Sequence, residues 1–231
     1  MFLTDGSSHH GGVTNEHFVI DYLNSHPDCE LSKALGGKLV HKGGTQNKAD
    51  ALVEVSGKTV SIKQHKGSGT FDWINTSTDI PNIKNIKTCL GVIKNEIEDV
   101  EEARKHVSMV LSEVLFGEQF VDFIKSKLTT ACEKNCDYII INDAKNKRLV
   151  GFPNTSITHM FHEVDITPAS SPNQTSAKIN KYDIRVRFVL NNGVGALMKN
   201  KNSVPCLKFQ QDRVDNFIES ITESKILVSY E

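Results

Sequence analysis

The first regular pattern in the chain is helical. In VTNEHFVIDYL, Val13, His17, Ile20 and Leu23 fall on one helical face, with Phe18 and Val19 beside it. Thr14 or Asn15 is placed to cap its start, and Pro27 ends it. The short apolar run Leu39–His41 predicts a first strand, closed by Gly43-Gly44. Ala49, Leu52, Val53 and Val55 then form a β-rich segment, and Ser56-Gly57-Lys58 signals a tight hairpin. On the return, Val60 and Ile62 alternate with Ser61 and Lys63, the period of a strand with two distinct faces. Residues 67–85 read as a loop rich in Gly, Ser, Thr and Asn. Residues 84–134 predict two or three helices with a break near Phe116-Gly117.

Asp137–Asn142 (DYIIIN) has the β-branched content of a buried strand, and Arg148–Phe152 predicts another after a turn at 143–147. Residues 153–181 are polar and turn-rich. A strand at Asp183–Leu190, a turn at Asn191-Asn192-Gly193, a strand near Cys206–Phe209 and a helix over Asp212–Ile221 complete the reading. The order is helix, three strands, helices, strand, with no internal repeat, which is the order of an α/β protein.

Composition narrows the class. The chain has 231 residues, 38% hydrophobic and 24% charged, enough for one domain of good size or a domain with an appended lobe. No apolar run is long enough to span a bilayer. The opening MFLTDGSSHHGG lacks the basic and apolar regions of a signal peptide, so a cytoplasmic protein is expected. Five scattered cysteines argue against a disulfide framework, and Cys132 and Cys136 read as a helix-end and a strand-start thiol rather than a zinc pair. The net charge of −1 is unevenly spread. Residues 95–102 are acidic, whereas Lys178, Lys181, Arg185, Arg187, Lys199, Lys201, Lys208 and Arg213 face only Asp183 and Asp212 in their stretch. One basic face suffices to bind phosphates.

The hairpin carries the candidate chemistry. Hydrolysis of a phosphodiester calls for a hard divalent cation on carboxylate oxygens and a lysine beside it to stabilise negative charge or orient a water. Asp50 begins one strand; Lys63 projects from the next and shares its face with Ser61. His65 lies on that same face, as a surface histidine or a contact to phosphate or water.

The segment Asp50…Ser61-Ile62-Lys63 resembles the motif of the PD-(D/E)xK nuclease superfamily, which includes restriction endonucleases and Holliday-junction resolvases. The resemblance covers residues 13–142, a little over half the chain. It implies a restriction-endonuclease-like core: helix, three strands, helix, strand, as a mixed central sheet flanked by helices. It implies Asp50, Lys63, Glu16 on the first helix and Ser61 as the catalytic residues, and Mg²⁺ held by Asp50 and Glu16. Two positions depart from the pattern. Ala49 stands where the family has proline, and Ser61 where it has an acid. Glu16 is the compensating carboxylate, because Glu54 lies two pleats away from Asp50.

The expected organisation is a nuclease core over 1–152 and a C-terminal α+β extension over 153–231 that reads DNA. Its candidate contacts are Lys66, leaving the active-site strand, then Arg185 and Arg187 on one strand face, the turn residues Asn191 and Asn192, and Gln210, Gln211 and Arg213. Arg pairs with guanine and Asn or Gln with adenine in the major groove. Trp73 and Asn75 are weaker candidates, Trp73 being more often a packing residue. The expected function is Mg²⁺-dependent cleavage of double-stranded DNA at a short sequence by a homodimer whose symmetry mirrors a palindromic site. A structure-specific nuclease and a DNA-binding module that has lost catalysis are the alternatives.

Overall fold

The structure, a computed structural model, describes residues 7–42, 49–66, 70–77, 80–114, 121–127, 136–157, 166–167, 175–179, 183–221 and 224–231. The chain groups into two compact units. One comprises Met1–Phe71, Thr129–Phe161 and Val214–Glu231; the other comprises Asp72–Leu128 and His162–Arg213. This interleaved grouping does not coincide with a boundary after residue 152. The last strand returns to the first unit's sheet, and residues 72–128 group with the second unit.

The first unit is α/β. It has helices α1 (Ser7–Ser25) and α2 (Glu30–Leu35) and strands β1 (Leu39–His41), β2 (Ala51–Val53) and β3 (Thr59–His65). The later strands β5 (Tyr138–Asp143), β6 (Arg148–Pro153) and β11 (Ile226–Ser229) complete a six-stranded sheet, ordered β1-β2-β3-β5-β6-β11. Strands β1, β2 and β3 form an antiparallel meander, and β5 joins β3 in parallel. A parallel neighbour requires a long crossover, supplied by the stretch between residues 66 and 137. Strands β6 and β11 then add antiparallel, making the sheet mixed.

Local chemistry fixes these elements. The β2–β3 turn closes with Val53 N–H donating to the Lys58 carbonyl at 2.8 Å, and Gly57 adopts φ +68°, a conformation that disfavours a Cβ. At the start of α2, Cys29 Sγ accepts from the Ser32 N–H, and Gly36 ends the helix in the left-handed region at φ +77°. Helix α1 begins at Ser7, earlier than the pattern predicted, and runs through Gly11-Gly12 despite their cost of roughly 1 kcal/mol each. Its buried face is Asn15, Val19, Ile20 and Leu23. The predicted face member His17 is exposed and stacks on His41, with ring centroids 4.4 Å apart.

Val19, Ile20 and Leu23 pack with Leu31 and Leu35 of α2 on Ala51, Val53, Val60, Ile62 and Ile140. Each such side chain contributes on the order of 1.5–3 kcal/mol when fully buried. A Cβ at Gly151 on β6 would overlap Leu31 Cδ1 and crowd Tyr138 Cε1, so glycine there is what admits α2 to the sheet. A buried polar chain crosses the same layer. Tyr230 Oη donates to Asn142 Oδ1 at 2.6 Å, and Asn142 Nδ2 donates to Asn15 Oδ1 at 2.7 Å.

The second unit holds a five-stranded sheet ordered β4-β10-β9-β8-β7, with β4 Phe71–Thr76, β7 Ile166–Thr167, β8 Ser176–Ile179, β9 Ile184–Leu190 and β10 Pro205–Gln211. Helices α3 (Ile83–Glu96) and α4 (Val100–Val114) pack together and against β10 and β9. Strand β9 alternates strictly: Ile184, Val186, Phe188 and Leu190 are buried, and Arg185, Arg187 and Val189 are half-buried on the other face.

Several elements differ from the sequence pattern. Residues 67–85 contain strand β4, since pairing with β10 overrides a polar composition that suits an edge strand. The turn-rich stretch 153–181 contributes β7 and β8 for the same reason. The helix after β10 spans Val214–Ser220, and β11 (Ile226–Ser229) follows it, with β-branched Ile226 and Val228 alternating along it. The break expected at Phe116-Gly117 lies outside the described residues. Among the described residues no helix is long and apolar enough to cross a membrane.

Candidate active site

Asp50 directly precedes β2, and its N–H donates to the Val60 carbonyl at 3.0 Å, which fixes it beside β3. Its Oδ2 accepts from the Ile62 N–H at 2.6 Å and from Ser61 Oγ at 3.2 Å. The half-buried carboxyl titrates above the ordinary aspartate range. Burial is the largest cause and the Glu16 charge adds to it; Lys63 and the Ile62 N–H pull the other way. Three of the residues predicted for the site are therefore electrically coupled: a carboxylate on the strand start, a lysine two residues beyond Ser61 on β3, and a carboxylate on α1.

Glu16 reaches the site from a helix that lies against β1 and β3. Its Oε2 is 2.8 Å from His41 Nε2 on β1, and its side chain is 17% exposed. The hydrogen bonds of Asp50 and Glu16 thus use one oxygen each, leaving Asp50 Oδ1 and Glu16 Oε1 without a partner among the described residues. Ser61 is buried and its hydroxyl points at Asp50, so it acts here as a donor that orients the carboxylate. Lys63 is half-buried in register with Ile141, within electrostatic reach of both Asp50 and Cys136.

The sequence reading missed Cys136 as a neighbour of the site. Burial pushes its thiol up to about 11, with Lys63, the Ser61 N–H and Asp50 as the lesser influences. At neutral pH it is therefore an uncharged thiol that lines the site without competing for Lys63. Cys132, its sequence partner, lies outside the described residues. His41 was also missed; a short apolar run gave no sign that its last residue would anchor Glu16.

His65 differs from its expectation as a surface histidine. It is 3% exposed, because β5 and the helix Val214–Ser220 supply Asp143 and Asp215 around it. Lys66 is exposed at the end of β3.

The remaining candidates lie in the second unit. Strand register aligns Lys178, Arg185 and Gln210 in one row across β8, β9 and β10, and Ser176, Arg187 and Lys208 in the next. Most of these cations are already paired. Arg185 Nη2 donates to Asp212 Oδ1 at 2.7 Å, and Lys208 Nζ lies 3.7 Å from Asp72 Oδ2. Arg213 is largely exposed, with Nε 3.9 Å from Asp183 Oδ1. Arg187 carries no ion pair among the described residues.

Asn191 Oδ1 accepts from the Val204 N–H and Asn192 Nδ2 donates to the Asn202 carbonyl, so both amides hold their own loop. Gln211 is fully buried and its Oε1 accepts from Trp73 Nε1 at 3.0 Å. Gln211 and Trp73 thus act in packing, not on a free surface. The side chain of Asn75 lies outside the described residues.

No family model, curated protein or solved structure matches this chain.

Proposed function

We propose that the chain is a magnesium-dependent endonuclease with a restriction-endonuclease-like core, and that it hydrolyses double-stranded DNA at the Asp50–Lys63 site. One observation carries the reading: a half-buried carboxylate at the start of β2 and a half-buried lysine on the adjacent strand β3 influence each other electrostatically, with the Glu16 carboxylate coupled to the first. The antiparallel meander followed by a parallel return strand supports the fold assignment.

The donor set fits a hard cation. Asp50 Oδ1 and Glu16 Oε1 are two carboxylate oxygens in a site whose like charges repel, and magnesium takes one or two carboxylates and fills the rest of its shell with water. When bound, it supplies Lewis-acid polarisation and a water of lowered pKa. The protein's own groups do the rest. Ser61 Oγ and the Ile62 N–H hold the Asp50 carboxylate in one orientation. His41 does the same for Glu16. The Lys63 ammonium stabilises negative charge as it develops on the phosphate oxygens, in a half-buried position where that interaction is stronger than in water.

The polar face of the second sheet is the surface we assign to DNA. Arg187 and Lys178 carry no ion pair among the described residues; Arg185, Lys208 and Arg213 exchange aspartate partners for phosphate on binding. Gln210 and Lys178 extend the same face. A homodimer acting on a palindromic site belongs to this reading.

The test is incubation of the protein with a mixed-sequence plasmid and Mg²⁺, beside a Lys63→Ala variant and an EDTA control. Discrete bands lost in both controls are expected. A smear lost in both would shift the reading to a non-specific or structure-specific nuclease. Absence of cleavage on plasmid and on branched DNA would leave binding alone, and cleavage that survives Lys63→Ala would refute the site.

A further inference from the structure

Two residues beyond Lys63, on the same face of β3, the chain buries a second polar cluster that the proposed nuclease chemistry does not use. His65 is 3% exposed, and neither ring nitrogen has a hydrogen-bond partner among the described residues. Asp143, its register neighbour on β5, is fully buried. Arg148 Nε and Asn146 Nδ2 donate to Asp143 Oδ2 at 2.7 and 2.8 Å, while its Oδ1 is buried without a partner among the described residues. On Asp215, in the helix Val214–Ser220, Oδ2 takes Lys145 Nζ at 3.0 Å, whereas Oδ1 accepts a long hydrogen bond from Asn146 Nδ2 at 3.4 Å and lies 3.8 Å from His65 Nε2. One ligand atom from each of the three residues lies within 4.8 Å of the others.

We propose that His65, Asp143 and Asp215 form a binding site for a divalent transition-metal cation, with Zn²⁺ as the favoured occupant. A buried imidazole nitrogen and a buried carboxylate oxygen left unpaired each carry a desolvation cost that native structures rarely leave unmet. A cation bound between them meets both at once. The cationic side chains occupy Oδ2 of each aspartate, so Oδ1 of Asp143 and Oδ1 of Asp215 remain for the metal, and Arg148 and Lys145 hold the two carboxylates in place from behind. The imidazole ligand selects a transition metal over magnesium or calcium, which prefer all-oxygen shells. Asp215 is 40% exposed, so the site opens to solvent on that side, and three protein ligands leave a fourth tetrahedral position for water. Such a metal joins the ends of β3 and β5 and the helix Val214–Ser220. The proposal uses none of the residues assigned to phosphodiester hydrolysis.

The experiment uses the full chain, stripped with EDTA and dialysed. It is titrated with ZnCl₂ by calorimetry and with CoCl₂ by visible absorption, alongside His65→Ala, Asp215→Asn and Asp50→Asn. The expected result is one saturable Zn²⁺ per chain and cobalt d–d bands. Both are lost in His65→Ala, weakened at least about tenfold in Asp215→Asn, and kept in Asp50→Asn. The melting midpoint of the wild type rises by about 5–10 °C at a hundredfold excess of Zn²⁺ over its Kd. Absence of saturable binding overturns the proposal, as does zinc affinity unchanged in Asp215→Asn, whose exposed side chain keeps that variant informative if His65→Ala does not fold. Zinc binding lost in Asp50→Asn would place the metal at the other site and also overturn it. Because the readout is metal stoichiometry, a chain that binds zinc but cuts no DNA would sustain this inference while the nuclease reading fails.

Discussion

Replacing Asp50 with asparagine separates a functional carboxylate from a structural one. The amide keeps an acceptor for the Ile62 N–H and for Ser61 Oγ, so the geometry around it is preserved. What changes is charge. A hydrogen bond to a charged acceptor is worth about 1.5–3 kcal/mol, against about 1 kcal/mol for a neutral one, so the substitution weakens that contact by on the order of 1 kcal/mol. Against this, it removes a buried charge whose desolvation outweighs the help from Lys63 and Ile62, since the carboxyl titrates above its ordinary range. The folded state therefore holds the Asp50 proton more tightly than the unfolded chain does. Wild-type stability contributed by this group is fully present below the unfolded pKa and is lost as pH rises through the folded pKa.

Each unit separating the two pKa values is worth about 1.4 kcal/mol. Each kcal/mol moves the melting midpoint of a chain of this size by roughly 2–4 °C. Asp50→Asn is thus expected to melt higher than wild type at pH 8 and to lose that advantage as pH falls below the Asp50 titration. DNA cleavage by the same variant is expected to drop by at least about a hundredfold. Thermal denaturation across pH 4–8, paired with plasmid cleavage, measures both. A variant less stable than wild type at pH 8 would mean that the carboxylate serves the fold, and one that still cuts DNA would remove Asp50 from the site.

Two further outcomes are expected. Arg187→Ala weakens binding to unrelated DNA duplexes alike and lowers the slope of log affinity against log salt by about one, read by fluorescence anisotropy across salt concentrations; an unchanged slope would exclude this sheet face from the phosphate contacts. Gly151→Ala forces a methyl into Leu31 and Tyr138 and costs about 1–3 kcal/mol in urea denaturation, whereas a neutral result would show that α2 shifts freely on the sheet.

The hairpin and the placement of Asp50, Ser61 and Lys63 on it were legible in the sequence because both depend on local pattern. Alternation around Val60 and Ile62 fixed which side Ser61 and Lys63 share, and the turn chemistry at Gly57 set the β2–β3 pairing that brings Asp50 alongside Ser61. The isoleucine run at 139–141 marked a buried strand for the same reason. Other features had no local signature. Polar strands such as β4 and β8 form because a neighbouring strand offers its backbone groups, and no periodicity in their own residues announces that partner. The register-linked rows of Arg185 and Gln210 or Arg187 and Lys208 depend on pairing between distant segments, as do the aspartates that neutralise most of those cations.

By itself, then, the sequence determined an α/β protein with an Asp50–Lys63 hairpin, since backbone alternation and turn preference act over a few residues. Only the tertiary structure decided the contacts between distant elements. It put His41 against Glu16, and Cys136 beside Lys63. It buried His65 between Asp143 and Asp215, and returned residues 226–229 to the first sheet. These follow from desolvation and packing between segments far apart in the chain, where the energy of a residue is set by neighbours its own sequence does not name.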